Sequence, residues 1–225
     1  MNAYARVAGV LMIISLLAGG FGEAYAPSRL IVAGDPAATA RKVVELDWTF
    51  RLGFAAYLIE ALCDVALALI FYVLLKPVSK GIALLAAFFG LIATATFASA
   101  EMFYFVPPVL LRSTASMQGF SPAQLQSLVL LSLRIYGLGG MVFTAFYGAA
   151  WICRGYLMFR SAYIPRVLGI LMAAGGAGFV IRNFLLVLTP AFASPAFLFL
   201  IAPGGLAFAV WLLVSSSPEL SRSAA

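Results

Sequence analysis

Residues 51–75 read RLGFAAYLIEALCDVALALIFYVLL, an apolar run interrupted by Glu60 and Asp64. Its length exceeds the roughly 20 helical residues that cross a hydrocarbon core about 30 Å thick. Lipid offers no partner to a backbone N–H or C=O, so a segment of this kind is a helix. A charge at mid-membrane costs roughly 2.5–3.5 kcal/mol, against about 0.3–0.6 gained per Leu or Phe. Glu60 and Asp64 stand four residues apart and share one helix face. That face turns away from lipid.

The same reading extends along the chain. Of its 225 residues 64% are hydrophobic and 10% charged, and the mean hydropathy is +1.07. A soluble domain carries about 25% charged residues. Six spans are expected, at roughly 5–25, 51–75, 82–106, 128–153, 167–189 and 196–214. The expected fold is therefore all-α, a polytopic transmembrane bundle forming a single membrane domain over 1–225. In the first span, Arg6, an apolar run and Ala24-Tyr25-Ala26 imitate a signal peptide. Pro27 disfavours cleavage there, and the run is long for a leader, so the helix is retained.

Between the first two spans, residues 26–50 form the longest connection. Asp35-Pro36 is a helix start, with Asp as N-cap and Pro at the first helical position, and predicts a short surface helix over 36–46. Asp47 is placed to cap the next span, with Trp48 at the interface. Pro107-Pro108 ends the third span and Ser121-Pro122 begins the next helix. From 121 to 153 that helix overshoots the membrane, and Gly137, Gly139 and Gly140 are the expected place for a bend. Pro203-Gly204-Gly205 is expected to kink the sixth span.

The net charge of +6 does not signal a nucleic-acid partner, because the basic residues collect in short loops. Arg6, Lys76, Lys80, Arg154, Arg160, Arg166 and Arg222 fall on one side, and Arg29, Arg41, Lys42, Arg51 and Arg112 on the other. The positive-inside bias then makes both termini cytoplasmic and residues 26–50 extracytoplasmic.

Five ionisable residues lie inside spans: Glu60, Asp64, Glu101, Arg134 and Arg182, with Glu23 at the outer end of the first. Unpaired, the five would cost on the order of 12–17 kcal/mol. They concentrate in the outer half, leaving the cytoplasmic half almost entirely apolar. Glu60 or Glu101 can pair with Arg134 or Arg182. Asp64, the deepest, has no assigned basic partner and is expected to be either protonated or bonded to a Tyr or Ser neighbour. Two readings follow: an outward-opening polar pocket for a small ligand, ion or proton, or a static set of salt bridges that fixes helix packing.

Other chemistry is thin. The absence of histidine removes the commonest metal ligand and general base. No catalytic set, metal site or cofactor is expected. Cys63 and Cys153 lie in apolar runs and read as reduced packing residues. The glycines at 137–140 and 175–178 read as close helix contacts, since no P-loop lysine follows.

The stretches SRLIVAGDPAATA (28–40), RLGF (51–54), CDVALALIFYVLLKPV (63–78), LLAAFF (84–89) and GYLMFRSAYIPRVLGIL (155–171) resemble a bacterial family of multi-pass membrane proteins classed as domain of unknown function 4386. The resemblance covers nearly the whole chain. It implies membrane residence and a shared fold, and no activity, ligand or catalytic residue. Members often carry a His in the fourth span and an acid near position 182, where this chain has Tyr147 and Arg182. The expectation is a bacterial inner-membrane protein whose partners are the bilayer and a small ligand, acting as a transporter or sensor subunit. Its rival is a structural or assembly protein, with a membrane enzyme third.

Overall fold

The computed structural model describes residues 2–112, 117, 119–192 and 202–214. Most of these are helical, with no strand among them. Helix α1 (Asn2–Gly19) runs through a π-turn (Gly20–Tyr25) into α2 (Ala26–Leu30). Then come α3 (Pro36–Glu45), α4 (Asp47–Leu75), α5 (Lys80–Tyr104) and α6 (Val106–Arg112). They are followed by α7 (Pro122–Arg160), α8 (Arg166–Leu188) and α9 (Ala202–Val214). Five runs are long and apolar enough to cross a membrane: Ala3–Leu30, Asp47–Leu75, Lys80–Arg112, Pro122–Arg160 and Arg166–Leu188. Pro203–Val214 is a shorter apolar helix. The chain is a polytopic all-α bundle.

The long helices close on themselves. Helix α1 packs on α4, α4 on α5, α5 on α7, α7 on α8, α8 on α9, and α9 returns to α1. Leu62, Leu69, Met102, Phe184 and Val187 stand on the outside of this ring. On a soluble protein so broad an apolar exterior would demand a partner; on a membrane bundle it meets lipid. Inside lie two apolar clusters. One, built on Phe50, Tyr57, Phe97, Tyr104, Tyr136 and Phe143, fills the end that carries α3. The other, built on Met12, Phe71, Trp151, Met158, Met172 and Phe208, fills the far end.

The α7–α8 contact is nearly backbone on backbone. A β-carbon on Gly148 would lie 2.6 Å from the Gly176 carbonyl oxygen, and one on Gly155 would lie 2.6 Å from that of Gly169. Without a hydrophobic drive between helices in lipid, such close approach supplies the packing.

Local sequence signals set most boundaries. Asp35 accepts a bond from the Ala38 N–H at 2.8 Å, and Pro36 opens α3. Ser121 and Gln124 form a reciprocal capping box at the start of α7. The fully buried Thr39 bonds both Val32 and Asp35 and folds the link 31–35 onto α3. At the far end, the Tyr163 hydroxyl donates to the Leu74 carbonyl at 2.5 Å and joins the two turns there. Burial pushes that phenol up to about 12, so it stays a donor.

Several boundaries differ from the sequence expectation. Asp47 does not cap α4. It accepts from Arg51 at 2.8 Å and from Arg112 at 2.6 Å, tying α4 to α6. Pro107-Pro108 does not end the helical run. The chain turns at Phe105 and restarts as α6, with Pro107 and Pro108 in its first turn, where missing N–H groups cost nothing. Helix α7 is unbroken at Gly137–Gly140 and spans 39 residues, about 57 Å at 1.5 Å per residue. That length exceeds a hydrocarbon core about 30 Å thick. Pro203 sits in the first turn of α9; residues 196–201 of the expected sixth span lie outside the described residues.

The first helix passes straight through the imitation cleavage site. The Ala26 N–H bonds the Phe21 carbonyl, five residues back, which is the π pattern. Pro27 has no N–H and its ring crowds the carbonyl four residues back, that of Glu23. The wider π-turn accommodates it and leaves Glu23 on the widened segment.

Candidate functional site

The site is built from polar side chains that α1, α4, α5, α7 and α8 place in the ring. Nearest the α3 end are Glu23, on the π-turn, and Glu101, on α5. Glu101 is only 3% exposed, and the Tyr136 side chain lies beside it. One turn further in, the Glu60 carboxyl rests on Gly19, where a β-carbon would come within 2.6 Å of its Oε1. Glu23 stands four residues beyond Gly19, and its carboxyl neighbours that of Glu60. A further turn along α4 lies Asp64, 8% exposed, whose Oδ1 accepts a bond from the Ser15 hydroxyl at 3.0 Å. The serine partner answers the need that the sequence leaves open at this residue.

Beyond Asp64, towards the far end, comes Arg154. The sequence assigns it to a loop, but α7 continues to Arg160, so Arg154 lies inside the bundle at 5% exposure. Its guanidinium carbon sits 4.9 Å from the centre of the Phe71 ring. Gly90 makes the room, since a β-carbon there would be 2.8 Å from Nη2. The far half is therefore not wholly apolar. Removing Arg154 from the loop count leaves six of the seven basic residues on the side assigned to the termini; of those, Arg222 lies outside the described residues.

Arg182, on α8, meets one of the acids, Glu23, across a cavity. It lines a cavity of about 300 Å³ with Glu23, Phe97, Tyr136, Met141 and Thr144. Its neighbour Asn183 donates to the Thr144 hydroxyl at 2.8 Å and holds α8 against α7 there. Arg134 is elsewhere. It is exposed and lies in a shallow cleft with Gly34, Pro36 and Ser127 near the start of α3. It does not join the interior acids.

The expected pairings are not made. Among the described residues the ion pairs are those of Asp47 with Arg51 and Arg112. Neither Glu60 nor Glu101 lies within 4.0 Å of Arg134 or Arg182. Glu23 Oε1, Glu60 Oε2, Tyr57 Oη, Arg154 Nε and Arg182 Nε are buried without a hydrogen-bond partner. Cys63 and Cys153 are free thiols.

Fold and interior together define an integral membrane helix bundle with a polar middle. The model of a family described as Domain of unknown function (DUF4386) matches residues 7–215. The chain belongs to that family. No curated protein and no solved structure matches it.

Proposed function

We propose that the polar middle is a pocket, open towards the α3 end, that binds a small ligand, ion or proton for a transporter or sensor subunit. The observation that carries this reading is that Glu23, Glu60, Asp64 and Glu101 converge on one interior without a basic group in ion-pairing range. Burying a charge is costly unless it is paired. A set retained only to fix packing is best served by closed pairs. Open hydrogen-bonding capacity on Glu23 and Glu60 is what a site presents to an occupant that comes and goes. The rival structural role is favoured by the Asp64–Ser15 bond, which links α4 to α1.

In this reading the protein lies in a bacterial inner membrane with both termini cytoplasmic. The supporting feature is the short far-end turns, which carry Lys76, Lys80, Arg160 and Arg166. The partners are the bilayer and the small ligand.

The test uses Asp64→Cys in a chain whose native cysteines are replaced by serine. A small water-soluble thiol reagent added from the α3 side modifies position 64, and a cationic reagent does so faster than an anionic one of equal size. An inert cysteine in a folded protein overturns the pocket and leaves the structural role.

A further inference from the structure

We infer that the cavity between Glu23 and Arg182 is a site for a zwitterion, one ammonium and one anionic group carried together on an apolar body. The inference rests on the pocket reading and names the chemistry of its occupant. Three observations carry it. The cavity, of about 300 Å³, is lined by one carboxylate and one guanidinium, Glu23 and Arg182. These do not pair with each other, since no contact within 4.0 Å joins them. Each also presents a buried, unpartnered atom, Oε1 of Glu23 and Nε of Arg182.

Opposite charges at low dielectric attract strongly. A pair left apart on two walls of one cavity is matched by a ligand whose charges run the other way. Its ammonium meets Glu23, with Glu60 behind, and its anionic group meets the Arg182 donors. Between them, Phe97, Tyr136, Met141 and Leu186 supply an apolar wall, and the volume suits a ligand at the small end of the usual range. The frame is fixed on both sides. The Asn183–Thr144 bond holds α8 to α7 beside Arg182, and the π-turn holds Glu23.

The experiment measures binding of three matched probes to the purified full chain in phosphatidylglycerol nanodiscs. These are L-phenylalanine, the cation phenethylamine and the anion 3-phenylpropionate. L-Phenylalanine binds tighter than either single ion by about ten- to a hundredfold, the worth of one charge-assisted hydrogen bond. Glu23→Gln removes its advantage over 3-phenylpropionate but not over phenethylamine, and Arg182→Gln does the reverse. A merely structural role for either residue would not split the selectivity in this way.

An ethanolamine phospholipid headgroup carries the same two charges. Adding phosphatidylethanolamine to the discs weakens phenylalanine binding if lipid is the occupant and leaves it unchanged if the occupant is soluble; either result supports the zwitterion site. Equal binding of the three probes, or none together with no retention of phosphatidylethanolamine that depends on Glu23 and Arg182, overturns it. If the thiol of the Asp64→Cys variant is accessible all the same, the pocket stands and only the zwitterion chemistry falls.

Discussion

Glycines in α7 look alike in the sequence and do different work in the fold. A methyl on Gly148 meets the Gly176 carbonyl and the Phe179 and Val180 side chains, whereas a methyl on Gly137 meets nothing within 4 Å. Gly148→Ala is expected to lose about 1–3 kcal/mol of stability through forced separation of α7 from α8. Gly137→Ala is expected to gain about 0.5–1 kcal/mol from helix propensity alone. Thermal denaturation of the two variants checks the opposite signs. The intramembrane charges are legible because each breaks an apolar run, and Glu23, Glu60, Asp64, Glu101 and Arg182 do face the ring. Two arginines fall elsewhere than the sequence suggests for one reason, the length of α7. Arg154 resembles a loop residue because it follows Cys153 at the expected end of the span. The apolar Tyr156-Leu157-Met158-Phe159 after it is the signal that the helix goes on. Arg134 resembles an interior residue because hydropathy does not apportion the overshoot at the other end.

Among the elements, capping chemistry is the most readable, since Asp35-Pro36 and Ser121-Pro122 act through neighbours only three residues away. Contacts over long separations are not readable. Asp47 as a helix cap and Asp47 as a clamp on Arg112 are equally compatible with the sequence, and the 65-residue separation hides the second. The π-turn escapes for a related reason: Pro27 signals a disturbance in the helix without saying whether it kinks, stops or widens. Thr39 shows how much one such contact organises. Thr39→Val strands the Val32 N–H, while the Val32 carbonyl keeps the Asp35 N–H, and is expected to cost about 1–3 kcal/mol. It also exposes the link 31–35 to protease, while Thr39→Ser retains the bonds and the resistance. Limited proteolysis with a melting curve separates these outcomes.

For the molecule as a whole, the proposed orientation has a direct check. Cysteines introduced at Ser79 and Ala162, in the two far-end turns, are expected to resist an impermeant thiol reagent in intact cells, and one at Ala33 is expected to react. Labelling at 79 and 162 with protection at 33 reverses the topology. The ring itself has a seam. Helix α9 docks on α1, with Leu213 and Ala209 against Gly9, so the two helices that seal the ring stand at opposite ends of the described chain. Synthesis runs from the amino end, and α9 emerges after every other helix of the ring. Until it docks, the ring is open between α8 and α1. Docking of one short helix closes the circuit of helices. A chain that stops before α9 therefore leaves the edges of α1 and α8 without the neighbour that the finished ring gives them.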